Sequence, residues 1–205
     1  MLTGLILAGG ESKRMNGANK SMLKFEYETL LQRQVRLMRT VCSELIIVTN
    51  DPKSYLRQVD ESVRIITDYI PGKGPLSGLH AGLTLARGEQ VWAVGCGMPF
   101  LSPKAAQLLL EQKNRGFDAA FPRVENMIYP LHGIYDRSCG KRIGELLQSG
   151  ESRPDALHRV LNAALVEEEV FTGQGISASF VFEIKTEEDY FTAAEILEGR
   201  SAVSG

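Results

Sequence analysis

The feature that most constrains this chain is the run Leu5-Ile6-Leu7-Ala8-Gly9-Gly10 near its N-terminus. Leu5 to Leu7 form a short apolar stretch of the kind expected of a buried strand. Ala8, Gly9 and Gly10 follow at once, with no bulky side chain among them. Lys13, Arg14 and Lys20 come next, and no acid stands between Glu11 and Glu26. A strand that empties into a small-residue loop lets backbone N–H groups approach an anion closely, and nearby cations neutralise it. The design suits a nucleotide phosphate. It is neither of two familiar phosphate loops. Lys13 stands where the dinucleotide fingerprint has its third glycine, and Asn19 stands where the NTPase loop has the glycine before Lys-Ser. Taken singly, Gly9-Gly10 is also compatible with a plain strand exit among solvated charges.

The pattern beyond this loop alternates strands with helices. Thr29 to Val41 carries Leu30, Leu31, Gln34, Leu37, Met38 and Val41 on one helical face. Glu44–Thr49, Val63–Ile66 and Val91–Cys96 read as strands, and Gly72–Gly78 as a loop before an Ala/Leu-rich helix to about Ala86. Pro103 opens a helix that continues from Lys104 to Lys113. Asp118–Phe121, Leu131–Tyr135 and Phe180–Ile184 read as further strands. Asp136–Gln148, Arg153–Ala164 and a segment capped at Thr186 and reaching Leu197 read as helices. Such an order predicts a three-layer α/β fold with a mostly parallel sheet, formed as one domain over 1–200 with a frayed tail at 201–205. In that topology ligands collect beyond the carboxyl ends of strands. The residues to watch are therefore the basic loop, Asn50, Asp68 and Gly97-Met98-Pro99.

At 205 residues and a formal net charge of −2, nothing calls for nucleic-acid or membrane-surface binding through bulk charge. No apolar run approaches the ~20 residues that span a bilayer. Cys42, Cys96 and Cys139 are few, distant and odd in number, which argues against a disulfide framework or zinc site and suits a reducing cytoplasm.

Two motifs carry a family resemblance. Leu7-Ala8-Gly9-Gly10, Ser12, Arg14-Met15 and Lys20 match the nucleotidyltransferase pattern L-A-G-G-x-S-x-R-M-G-x-x-K, with Asn16 departing from it and the glycine one position late at Gly17. Gly74-Pro75-Leu76-Ser77-Gly78-Leu79-His80-Ala81-Gly82-Leu83 is the second. Physically, Gly74-Pro75 fixes a rigid loop, while Gly78 and Gly82 bare one helix face, either for close packing or for a flat ring. Together with Met98-Pro99-Phe100-Leu101, the chain resembles the molybdenum cofactor guanylyltransferase family, most densely over residues 1–101. Tyr129-Pro130-Leu131-His132 and Gly150-Glu151-Ser152-Arg153 fall where that family has its pterin-side loops. His80, His132 and His158 have no metal-ligand spacing among them and read first as packing or surface histidines, His132 being the one of the three nearest a substrate role.

The resemblance implies a Rossmann-like fold and a reaction in which GTP and molybdopterin give molybdopterin guanine dinucleotide and pyrophosphate, with Mg²⁺ as cofactor. Molybdoenzymes or cofactor-insertion proteins would be partners. Arg14 and Lys20 would be catalytic, neutralising phosphates. Leu7, Ala8, Gly9, Gly10, Lys20, Asn50, Asp68, Gly74 and Pro75 would hold the nucleotide. One departure bears on the metal. The family reads C-D-M-P after the fourth strand, its aspartate binding Mg²⁺, whereas this chain reads Cys96-Gly97-Met98-Pro99. Glu183 is a candidate replacement, at a position where the family tends to carry asparagine; its plain alternative is a solvated strand residue. Lys185 departs likewise. Gly97 leaves two other readings open: a catalytically impaired nucleotide-binding homologue acting through a partner, or a nucleotidyltransferase with another acceptor.

Overall fold

In the computed structural model the described residues are 1–9, 19–68, 70 and 73–203. The apolar N-terminal run forms β1 (Leu2–Leu7), buried along its whole length. Its alternate side chains feed two cores: Leu2 and Ile6 enter one, Leu5 and Leu7 the other. A strand covered on both faces reads as a continuous apolar run, which is why this one was plain in the sequence.

After β1 the chain makes a short hairpin, β2 (Lys24–Phe25) and β3 (Glu28–Thr29), and enters α1 (Leu30–Met38). A capping box closes the start of α1. The Gln32 amide nitrogen of the backbone donates to Thr29 Oγ1 at 3.2 Å, and Thr29 N–H donates to Gln32 Oε1 at 3.0 Å. Most of the expected helical face is buried, including its one polar member, while Leu37 is partly covered and Val41 lies past the helix end. Gln34 donates from Nε2 to the carbonyls of Gly95 and Met98, each at 2.9 Å, and so fixes the turn around Gly97.

Next come β4 (Glu44–Val48), α2 (Pro52–Tyr55), β5 (Val63–Ile66), α3 (Pro75–Leu85), β6 (Gln90–Gly95) and α4 (Pro103–Lys113). The second half contributes β7 (Ala119–Val124), β8 (Met127–Ile128), β9 (His132–Asp136), α5 (Cys139–Gln148), α6 (Leu157–Val160), β10 (Ala163–Glu167), α7 (Glu168–Thr172) and α8 (Glu187–Val203). The main sheet has the order β10-β7-β9-β6-β1-β4-β5, with β8 beside β7. The β1–β4, β1–β6, β4–β5 and β7–β10 pairs are parallel, while β9 runs against both β6 and β7. Helix α3 packs with α5 over one face, and the α1 and α4 side chains join the core on the other. This is the expected three-layer α/β architecture.

Several local expectations need correction. Helix α3 starts at Pro75, inside the stretch read as a loop, because Gly74 at φ 65° turns the chain and proline supplies a ready first helical residue. The helix expected over Arg153–Ala164 is a 3₁₀ turn at Pro154–Ala156, the short α6, and then β10. Its alanines are good helix formers, but pairing with β7 at the sheet edge outweighs that preference. Phe180–Ile184 is not a strand: Ala178–Val181 forms a 3₁₀ turn and the rest is extended without a ladder. Helix α8 runs on to Val203, past the point where a tail was expected.

Candidate active site

Strand β1 is flanked by β4 on one side and β6 on the other, and the chain leaves along one side before returning to the other. The carboxyl ends of β1 and β6 therefore border the sheet's topological switch point, where a ligand fits. Cys96 N–H donates to Leu7 O at 3.1 Å, so the pairing persists one residue beyond the strands. Past it stand Gly9 and Gly97, on opposite sides of the crevice.

Lys20 is presented by a 3₁₀ turn, Lys20–Met22, whose geometry is set by its neighbours. Asn19 Oδ1 accepts from Ser21 N–H at 3.1 Å, an Asx turn. The Asn19 amide donates to Tyr55 Oη at 3.0 Å, and Ser21 Oγ lies 2.6 Å from the same oxygen. Fully buried Tyr55 in turn donates to the carbonyl of Ala8 at 3.3 Å. One phenol thus ties the lysine's turn to the end of β1. Tyr55 and Asn19 were missed by sequence reasoning. The Asn-x-Ser spacing around Lys20 was the available signal for the turn; nothing in the sequence pointed to Tyr55.

Across the crevice, Glu183 and Lys185 arrive on the segment before α8. Lys20 Nζ lies 3.9 Å from Glu183 Oε1, and Lys185 Nζ lies 3.5 Å from Glu183 Oε2. Ile184 N–H donates to the Gly97 carbonyl at 2.8 Å. Glu183 is accordingly a neighbour of Lys20 and Gly97, not a remote solvated residue. Burial pushes the Cys96 thiol up to about 11, opposed by the charge of Lys20 and aided by that of Glu183. Burial thus disfavours the thiolate, the reactive form of the side chain.

Asn50, just beyond β4, donates from its side-chain nitrogen to the Gly9 carbonyl at 3.0 Å, joining two expected site residues. Ala8 N–H is taken by Val48 O at 2.8 Å, and Leu7 lies within the sheet. The cradle expected from Leu7 to Gly10 is thus narrower, with half-buried Gly9 its most accessible described member. Gly10 and Arg14 lie outside the described residues. Asp68 follows β5, and Gly74-Pro75 open α3; topology alone sets these three at the same edge.

Two readings left open by the sequence fall on the side of packing. His132 is fully buried, with its ring edge-on to Phe180 at 4.9 Å and tilted to Trp92 at 5.5 Å. Burial pushes it down to about 4, and it belongs to the core, out of reach of substrate. Gly78 and Gly82 serve packing and not a flat ring: a Cβ at Gly82 would stand 2.3 Å from Leu5 Cδ2, and one at Gly78 3.2 Å from Leu7 Cδ2. In the other expected pterin-side loop, Glu151 and Arg153 pair with each other at 3.0 Å.

Magnesium takes hard oxygen ligands, commonly one or two carboxylates completed by phosphate oxygens and water. The donor set here is one carboxylate, Glu183, bracketed by ammonium groups. No group of three His, Cys, Asp or Glu side chains able to hold a metal occurs among the described residues. The set fits a magnesium ion that arrives with a polyphosphate, and does not fit one bound by protein side chains alone.

A central strand ending in a glycine loop, with a fixed lysine facing a carboxylate across the switch point, defines a nucleotidyltransferase. The chain belongs to the MobA-like NTP transferase family, whose domain model matches residues 4–168. It is 32% identical over 196 residues to a probable molybdenum cofactor guanylyltransferase of Pelotomaculum thermopropionicum, covering 96% of this chain and 93% of that protein. It is 30% identical over 200 residues to a molybdenum cofactor guanylyltransferase of Desulfosudis oleivorans, covering 97% and 98%. The fold is shared with the molybdopterin-guanine dinucleotide biosynthesis protein A of Archaeoglobus fulgidus, at a TM-score of 0.82, 22% identity, and coverage of 96% and 99%.

Proposed function

We propose that this protein transfers GMP from GTP to molybdopterin, forming molybdopterin guanine dinucleotide and pyrophosphate. The observation that carries the reading is the fixed Lys20 turn at the β1/β6 crevice, facing Glu183 over Gly97. A terminal phosphate oxygen of the pterin attacks the α-phosphorus of GTP. The bond from that phosphorus to the bridging oxygen breaks, and pyrophosphate leaves with its electrons. Phosphoryl-type transfers ask the protein for little covalent chemistry; they ask for positioning and charge stabilisation. Lys20 supplies a cation to the phosphates, with Arg14 assigned the same work by resemblance. Gly9, hydrogen-bonded to Asn50, lets the nucleotide lie close to the end of β1. Asp68 and Gly74-Pro75 border the nucleoside. A magnesium ion bound with the triphosphate would be held by Glu183, and would spread the charge that builds during transfer.

The reading as a catalytically impaired homologue rested on the glycine at 97; a carboxylate beside that glycine removes its main support. No helix among the described residues is long and apolar enough to cross a membrane. We assign the enzyme to the cytoplasm, where its free Cys42, Cys96 and Cys139 stay reduced. The product would pass to a molybdoenzyme or an insertion protein. Purified protein should release pyrophosphate from GTP only when molybdopterin is present. No turnover with both substrates at any Mg²⁺ concentration would sink the enzymatic reading. Equal use of CTP or ATP would sink the choice of guanine.

A further inference from the structure

Position 97 lies in the buried floor of the crevice, and the segment carrying Glu183 to Lys185 is laid across it. The hydrogen bond from Ile184 N–H to the Gly97 carbonyl sets how closely the two approach. A Cβ at position 97 would stand 2.9 Å from the Ile184 carbonyl oxygen, 3.3 Å from Glu183 Cγ and 3.5 Å from Lys20 Cδ. The end of a flexible side chain can retreat from such a contact; a backbone carbonyl cannot without moving its segment. Gly97 is not among the glycines with positive φ. Its backbone conformation does not demand glycine, but the space does.

Beside the Ile184 carbonyl, that space is lined by a carboxylate-bearing side chain, Glu183, 31% exposed. Its charged neighbours are cations, Lys20 at 3.9 Å and Lys185 at 3.5 Å. Both distances exceed a normal hydrogen bond, so charge draws the groups together without saturating the carboxylate oxygens. Lone pairs remain for a hard cation. An acid inside a site for a polyphosphate repels its ligand unless a cation stands between them. Lys20 and Lys185 mark this spot as one that attracts positive charge.

We propose that Glu183 is the carboxylate that holds the divalent cation accompanying the nucleotide, and that Gly97 is glycine because the Glu183 segment occupies the room a side chain there would need. The inference rests on a nucleoside triphosphate entering the β1/β6 crevice and adds to that reading the source of the metal's protein ligand.

The test is calorimetric titration of GTP into the full chain, once with Mg²⁺ and once with EDTA, and the quantity read is the ratio of the two affinities. Wild type should bind more tightly with Mg²⁺. Glu183→Gln should lower that ratio by about 10-fold or more, with the loss confined to the Mg²⁺ arm. Its EDTA arm should be unchanged or tighter, since the variant repels phosphate less and frees Lys20. A Glu183→Gln protein that keeps the wild-type ratio overturns the proposal, as does a wild-type ratio near one. Gly97→Asp should push the segment away, lowering both thermal stability and the ratio. A folded Gly97→Asp protein of wild-type stability and equal or higher ratio overturns the account of glycine. If GTP binds in neither arm, the guanine assignment falls instead, and the same paired titrations with CTP and ATP read the metal question separately.

Discussion

A single hydroxyl does much to define the site. Tyr55 Oη is the meeting point of Asn19, Ser21 and the Ala8 carbonyl, so Lys20 inherits its position from a residue in a different helix. Tyr55→Phe keeps the ring and its packing while leaving those polar groups one partner short. Urea unfolding should show a loss of about 1–2 kcal/mol. Steady-state pyrophosphate release should show a raised KM for GTP, because the lysine's turn is no longer anchored to β1. A stability loss with an unaltered KM would confine Tyr55 to a structural part. Little of this was visible in the sequence. Lys20 stood out by charge and spacing, but its support comes from a tyrosine in a stretch to which the sequence assigned no element. Long-range hydrogen bonds leave no local periodicity. Glu183 was legible only as a departure from a family pattern, and its nearness to Gly97 needed the fold.

At the level of elements, α3 and β1 interlock through the absence of side chains. Gly82 sits against Leu5, and Gly78 against Leu7 and Val48. Gly82→Val should destabilise the protein by about 1–3 kcal/mol through overpacking, measured as a lowered thermal midpoint. A change of similar size at Gly199, which has no neighbour near its Cβ position, should be much milder. The elements that the sequence disclosed were those buried on two faces or bounded by turn residues: β1, β4, β6, and α4 with Ser102 as its cap. The edge strand β10 was misread because half of it is partly exposed and its alanines favour helix. Phe180–Ile184 was misread in the opposite sense. Its apolar residues are buried against rings of the core and against the hairpin, but no neighbouring strand offers a ladder. The cap of α8 was read correctly in Thr186, whose hydroxyl accepts from Asp189 N–H at 3.2 Å.

For the molecule as a whole, function and cohesion occupy opposite ends of one sheet. The carboxyl ends carry the lysine and the acid. At the amino ends, buried Glu44 accepts from Thr3 Oγ1 at 2.7 Å and from Arg87 N–H at 2.9 Å, and pairs with Arg64. Burial works against its ionisation, but these partners outweigh it and hold the carboxyl below its ordinary range. Its contribution is present above the unfolded carboxylate range and is lost as the pH falls through the lowered value. His132 acts earlier in an acid titration. Its folded value of about 4 lies below the ordinary 6.5, so the unfolded chain takes up a proton that the fold refuses. This histidine should therefore cost about 3 kcal/mol of stability between pH 6.5 and 4, and below that its share of the slope ends while the loss from Glu44 takes over. Urea unfolding across this range should show the decline in wild type and a much shallower one, left to the carboxylates, in His132→Leu. A variant with the same slope would assign the acid sensitivity elsewhere.

The tie between Ile184 and Gly97 redraws where this protein can be cut. The family's domain model stops at residue 168, just beyond β10, although the relatives align further. A fragment trimmed there would retain the strands described above and discard the acid that leans over Gly97. Chimeras that borrow this crevice keep its floor covered only when they carry the C-terminal lead-in with them.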